Sequence, residues 1–108
     1  MSLWYYAHRF RNGGTLGVED GQANLRRAIE RYRRMLRAQP SGRILSAPWI
    51  DLALADVGEP DAWKVIVPFI GICQGIVLDM DGETGHSAGM RRERELARTM
   101  GIKVEEVA

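Results

Sequence analysis

The sequence predicts a single α/β domain, with a short, mostly parallel sheet covered by helices. Three observations predict it. Apolar strand-like runs alternate with helix-like periodicity along the chain, which calls for parallel strands joined by helical crossovers. The run Gly75-Ile76-Val77-Leu78-Asp79-Met80 is continuously apolar up to its acid, as a strand covered on both faces should be. The chain has 108 residues, which is room for one domain, residues 1–108, and not two.

The first strand is expected over Leu3-Trp4-Tyr5-Tyr6-Ala7, where aromatic and apolar residues dominate. Arg9 to Gly21 reads as a loop punctuated by Asn12-Gly13-Gly14 and Gly17. A helix follows from about Gln22 to Ala38. Its stripe is Leu25, Ala28, Ile29, Tyr32, Met35 and Leu36, and Pro40-Ser41-Gly42 stops it. Arg43 to Ala47 is a short strand closed by Pro48, and Trp49 to Leu54 is either helical or irregular. The second helix spans Ala62 to Cys73 after Pro60 in its first turn, with a disturbance expected at Pro68. After the third strand, Asp81 to His86 is a polar loop. Ser87 stands at an N-cap, the last helix runs to about Met100, and Gly101 ends it. Ile102-Lys103-Val104 opens a final strand.

Charge and composition narrow the function. Fifteen Lys and Arg face fourteen Asp and Glu, for a net charge of +1. That balance argues against capture of nucleic acid or an anionic membrane by the molecule as a whole, and the six arginines between Arg26 and Arg37 read as a solvated helix face. No apolar run approaches the about 20 residues a membrane span needs. Cys73 is the only cysteine, and with His8 and His86 it offers no metal-ligand spacing, so neither a metal nor a cofactor is expected. The absence of a secretory pattern and of a cysteine pair points to the cytoplasm.

In open parallel sheets, ligands lie outside the carboxyl ends of the strands. Here those ends feed His8 to Asp20, Pro48 to Asp51, and Asp79 to Ser87. The last helix adds a specific feature. At 3.6 residues per turn, Met90, Glu93, Ala97 and Met100 share one face, while Arg91, Arg94, Glu95 and Arg98 lie opposite. Glu93 is thus a carboxylate on the inward stripe, where a charge is costly without partners. The plain reading is a structural ion pair; the sharper one is a nucleophile or general base. Ser87 is explained as an N-cap, and the same helix terminus suits an anion. Asp79 and Asp81 at i and i+2 are either solvated loop acids or a pair that could hold a ribose hydroxyl or Mg²⁺.

Ser87-Ala88-Gly89-Met90-Arg91-Arg92-Glu93, followed by Ala97, resembles the nucleoside 2-deoxyribosyltransferase-like family. The pattern there is Ser or Asp, a Gly-containing turn, and a Glu six residues on. Tyr5-Tyr6-Ala7-His8-Arg9, Ile44 to Pro48, and Ile72 to Leu78 are similar to the family's strands and helix end, so the likeness extends over nearly the whole chain. The resemblance implies a flavodoxin-like three-layer sandwich. It also implies N-glycosidase or deoxyribosyltransferase chemistry on a deoxynucleoside or its 5-monophosphate. Glu93 would attack the anomeric carbon and form a covalent glycosyl intermediate, and Ser87 leans toward the monophosphate-hydrolysing branch. Tyr6, His8, Arg9, Arg11 and Gly13, with Ser87, Gly89 and Met90, form the implied substrate-binding set. Family members often complete each site with a neighbouring subunit, which implies a homo-oligomer, a dimer or higher.

The chain also departs from the family. The acid that protonates the departing base would fall near Lys64 to Ile66, where no acid stands, and Gln74 replaces another acid. Asp61, one turn earlier, and Asp79 are the remaining candidates for that role. The missing acid favours an alternative, a non-catalytic nucleotide-binding module with the same crevice; a purely structural domain is the third reading.

Overall fold

A computed structural model describes residues 1–8, 18–48, 59–81 and 88–108. Its elements in chain order are β1 (Ser2–His8), α1 (Val18–Ala38), β2 (Arg43–Leu45), α2 (Glu59–Gly71), β3 (Gly75–Asp79), α3 (Ala88–Thr99) and β4 (Lys103–Val107). The four strands are all parallel and ordered β2-β1-β3-β4. Helix α1 covers one face of the sheet, and α2 and α3 cover the other. The result is the predicted α/β class, a small flavodoxin-like three-layer sandwich. No helix among the described residues is long and apolar enough to cross a membrane.

Two cores follow from strand alternation. Tyr5, Ala7, Ile76 and Leu78 point to the two-helix side, where they meet Trp63, Ile66 and Ile70 of α2 and Met90 and Ala97 of α3. Trp4, Tyr6 and Val77 point to the other side and meet Leu45 and Tyr32. Each large side chain buried in this way contributes roughly 1.5–3 kcal/mol. Gly75 is required by a close approach, because the Trp4 ring lies where its Cβ would be.

The structure moves some expected boundaries. Helix α1 starts at Val18, inside the stretch read as loop. Glu19 and Asp20 fall in the first turn, where the helix dipole favours acids, and Gly21 costs an interior helix only about 1 kcal/mol. Strand β2 ends at Leu45, short of the expected Ala47. Beyond it, Ser46 N–H donates to the Trp4 carbonyl at 2.8 Å, and its Oγ accepts from Tyr6 N–H at 3.0 Å, so a side chain takes over from the ladder. Helix α2 passes through Pro68 to Gly71. Pro68 is exposed, so the carbonyl it leaves without a donor can be hydrated. Strand β4 pairs along its full length with β3, from Gly75↔Lys103 to Asp79↔Val107.

Candidate functional site

The strand order reverses direction between β1 and β3, because the chain leaves β1 toward β2 on one side and later leaves β3 toward β4 on the other. At such a switch point, the loops diverge and leave a crevice above the strand ends. His8 and Asp79 are the last residues of the two strands and are register partners, so they stand side by side at the switch point.

Asp79 is 1% exposed and lies at the centre of a polar cluster on the α1 face. Arg31 of α1 forks onto it, with Nη2 donating to Oδ1 at 2.8 Å and Nε to Oδ2 at 3.2 Å. The Tyr6 hydroxyl donates to Oδ2 at 2.5 Å, and the Asp81 N–H donates to Oδ1 at 3.0 Å. Burial pushes the Asp79 carboxyl up, but the hydrogen bonds from Arg31, Tyr6 and Asp81 outweigh it and hold the group below the usual carboxylate range. The same burial, reinforced by the bond to Asp79, pushes the Tyr6 phenol well above its ordinary value. Arg31 also donates to the Ala108 carbonyl at 2.7 Å, tying the end of β4 to the cluster.

Asp81 forms the outer tier of the cluster. Its φ of +48° is left-handed, a conformation uncommon for a residue with a side chain. His8 Nε2 lies 3.4 Å from its Oδ2, Arg27 Nε 3.6 Å from Oδ2, and Arg31 Nε 3.5 Å from Oδ1. The His8 ring is buried and stacks on Tyr6 with centroids 6.4 Å apart. Tyr6 and His8 of the implied binding set, together with Asp79, are therefore brought into one contiguous cluster.

Glu93 lies on the other side of the sheet. It occupies the second turn of α3 and is 9% exposed, between Met90 at 2% and Ala97 at 0% on the same stripe. Among the described residues it is the only buried acidic side chain on the two-helix side. Crossovers between parallel strands bring the amino ends of α2 and α3 to the carboxyl end of the sheet, and Glu93 lies in the second turn from that end of α3. Met100, expected on the same face, is 40% exposed beyond the last helical residue and packs toward Gly71. Gly89 is exposed one residue into α3. Arg9, Arg11, Gly13 and Ser87 lie outside the described residues.

Neither candidate for the missing acid offers a buried proton donor. Asp61 stands on the solvent side of the first turn of α2, with its side chain 64% exposed and Lys64 Nζ 3.3 Å away. Asp79, held ionised by its three donors, has no proton to give near neutral pH, so its proposed role as an acid gives way to that of an anchor. Gln74 has a structural use at the opposite end of the sheet, where its Oε1 accepts from Leu3 N–H at 2.7 Å. Among the described residues, no group of three or more His, Cys, Asp or Glu is disposed to hold a metal ion.

Sequence reasoning did not single out Arg31. The signal was available: Arg31 follows Ala28 by three residues and precedes Met35 by four, so it borders the inward stripe rather than facing water. Compared with models of known protein families, with curated proteins and with solved structures, the chain finds no match.

Proposed function

We infer that the protein acts on a deoxynucleoside or its 5-monophosphate through N-glycosidase or deoxyribosyltransferase chemistry, with Glu93 as the nucleophile. One observation supports this reading: Glu93 is 9% exposed on the inward stripe of α3 between Met90 and Ala97, in the second turn from the helix end that faces the carboxyl ends of the strands. A carboxylate there would stabilise the positive charge that develops at an anomeric carbon and then bond to it. The base leaves with the electron pair of the glycosidic bond, and water or a second base resolves the glycosyl-enzyme ester.

The test is incubation with each deoxynucleoside 5-monophosphate and chromatography of the free base. Release that is lost in Glu93→Gln, with the fold retained, supports the reading. Equal release by that variant, or none by the native chain, removes it. A second reading, a nucleotide-binding module without catalysis, draws on Asp79, which Arg31, Tyr6 and Asp81 hold ionised, and on Asp61, which stands on the solvent side of α2. It predicts a ligand-dependent rise in melting temperature with no base released.

Self-association belongs to the same proposal. Val65, Pro68 and Ile72 are exposed along α2, with Met100 beside its carboxyl end, an apolar stripe that a second copy of the chain would cover. Sedimentation of the native chain as a monomer at all accessible concentrations would remove this part.

A further inference from the structure

The outward face of α1 has a composition that neither the fold nor the crevice explains. Arg26, Arg27, Glu30, Arg33, Arg34 and Arg37 are all exposed. At 100° per residue they fall within an arc of about 120° and extend over about 16 Å of helix. Five arginines and one glutamate give this face a net +4 on a chain whose total is +1, so the near-neutral sum conceals segregated charge. The total-charge argument against nucleic acid therefore averages over a polarised surface.

Several cations elsewhere are engaged. Arg31 is forked onto Asp79 and Arg43 onto Glu105, Arg98 Nη1 lies 3.5 Å from Glu95 Oε1, and Arg92 lies over the Trp63 ring. Arg26, Arg33, Arg34 and Arg37 make no ion pair with any described residue. Arg33 and Arg37 stand at i and i+4, and Arg34 and Arg37 at i and i+3, spacings at which like charges destabilise a helix. The sequence thus keeps a row of repelling cations that no described acid pairs with.

We propose that this face binds the phosphodiester backbone of a nucleic acid, without regard to base sequence. The arginine fork fits phosphate oxygens in pairs, and a row along a straight helix matches a ligand with regularly repeating charge. The neighbouring aromatics Trp4, Tyr6 and Tyr32 are buried beneath the helix, so none of these rings is presented for base stacking and the contact reads charge. A membrane surface fits less well, because the apolar side of α1 is packed on the sheet and cannot insert.

The test is fluorescence anisotropy of the native chain with a labelled 16-base-pair duplex of arbitrary sequence, repeated across a range of salt concentrations. The expected result at 150 mM salt is a Kd between about 1 and 100 μM, with a log–log salt slope of about −3.5 for four phosphates neutralised. Replacing Arg26, Arg33, Arg34 and Arg37 together by Gln leaves the melting temperature unchanged or higher, weakens binding at least tenfold and flattens the slope. The control variant Arg91→Gln with Arg98→Gln, on the outer side of α3, leaves both unchanged. Kd above 1 mM at 150 mM salt, a slope that survives the fourfold change, or an equal loss in the control overturns the proposal. Equal affinity for poly-glutamate of matched length also overturns it, in favour of an acidic protein partner. Base release from mononucleotides is a separate readout, so failure here and failure of the glycosidase reading are distinguishable.

Discussion

The two faces of the sheet use charge in opposite ways. On the α1 side, Asp79, Tyr6, His8, Arg31 and Asp81 are gathered into a network in which every oxygen of Asp79 has a donor. On the α2 and α3 side, aromatic and aliphatic side chains fill the layer, and Glu93 is the only buried acid described there. The contrast teaches that burial alone does not mark a reactive group. A carboxylate saturated by a fork, a phenol and an N–H is an architectural anchor, whereas Glu93 lies between Met90 and Ala97 on the inward stripe of its helix.

The strongest way to break the contrast is to remove the anchor's cation. Arg31→Ala leaves Asp79 buried with only Tyr6 and a backbone donor, and a broken buried pair costs about 3–5 kcal/mol. For a domain of this size, that lowers the melting temperature by roughly 12 °C or more. Urea unfolding at pH 7 should show this loss, and an unchanged midpoint would demote the cluster to decoration.

The pH dependence sharpens the same point. The folded-state pKa of Asp79 is depressed, so its stabilisation is complete above the unfolded value of about 3.9 and disappears as pH falls through the folded value. The stability difference between the native chain and Asp79→Asn should therefore be large at pH 7 and shrink steadily below about pH 4. A difference constant from pH 7 to pH 2.5 would show that the charge of Asp79 is not what matters.

Next in size is Gly75→Ala, which drives a methyl into the Trp4 ring. Overpacking of this kind costs about 1–3 kcal/mol, read as a lower denaturation midpoint with unchanged m-value. The smallest effect belongs to Glu105→Gln. The forked Arg43–Glu105 pair, at 2.8 and 3.0 Å, is half exposed on the acid's side, so its loss costs below about 1 kcal/mol. A larger loss in thermal unfolding would mean that the pair is more shielded than its exposure indicates.

The sequence revealed the architecture because periodicity carries it. Gly75 to Asp79 reads as a doubly covered strand and is buried at all five positions. Met90, Glu93 and Ala97 recur at helical spacing and do turn inward together. The anchor was far less legible. Arg31 and Asp79 are 48 residues apart, and no local pattern encodes a partner at that distance. The left-handed turn at Asp81 was equally hidden, because neither Gly nor Asn stands there to announce it. Helix α1 was underestimated at its start because Gly17 and Gly21 weigh toward a loop, while the acids between them favour a helix terminus only once the helix exists.

One feature of the amino ends shapes how the whole sheet can move. Arg43 leaves edge strand β2, lies 3.7 Å from the centroid of the Trp4 ring above β1, and grips Glu105 on the far edge strand β4, while the same ring rests against Gly75 of β3. A single side chain and one indole thus span the full width of the sheet, like a spine binding four pages at their base. Amide hydrogens near Trp4 and Gly75 should therefore be among the slowest to exchange.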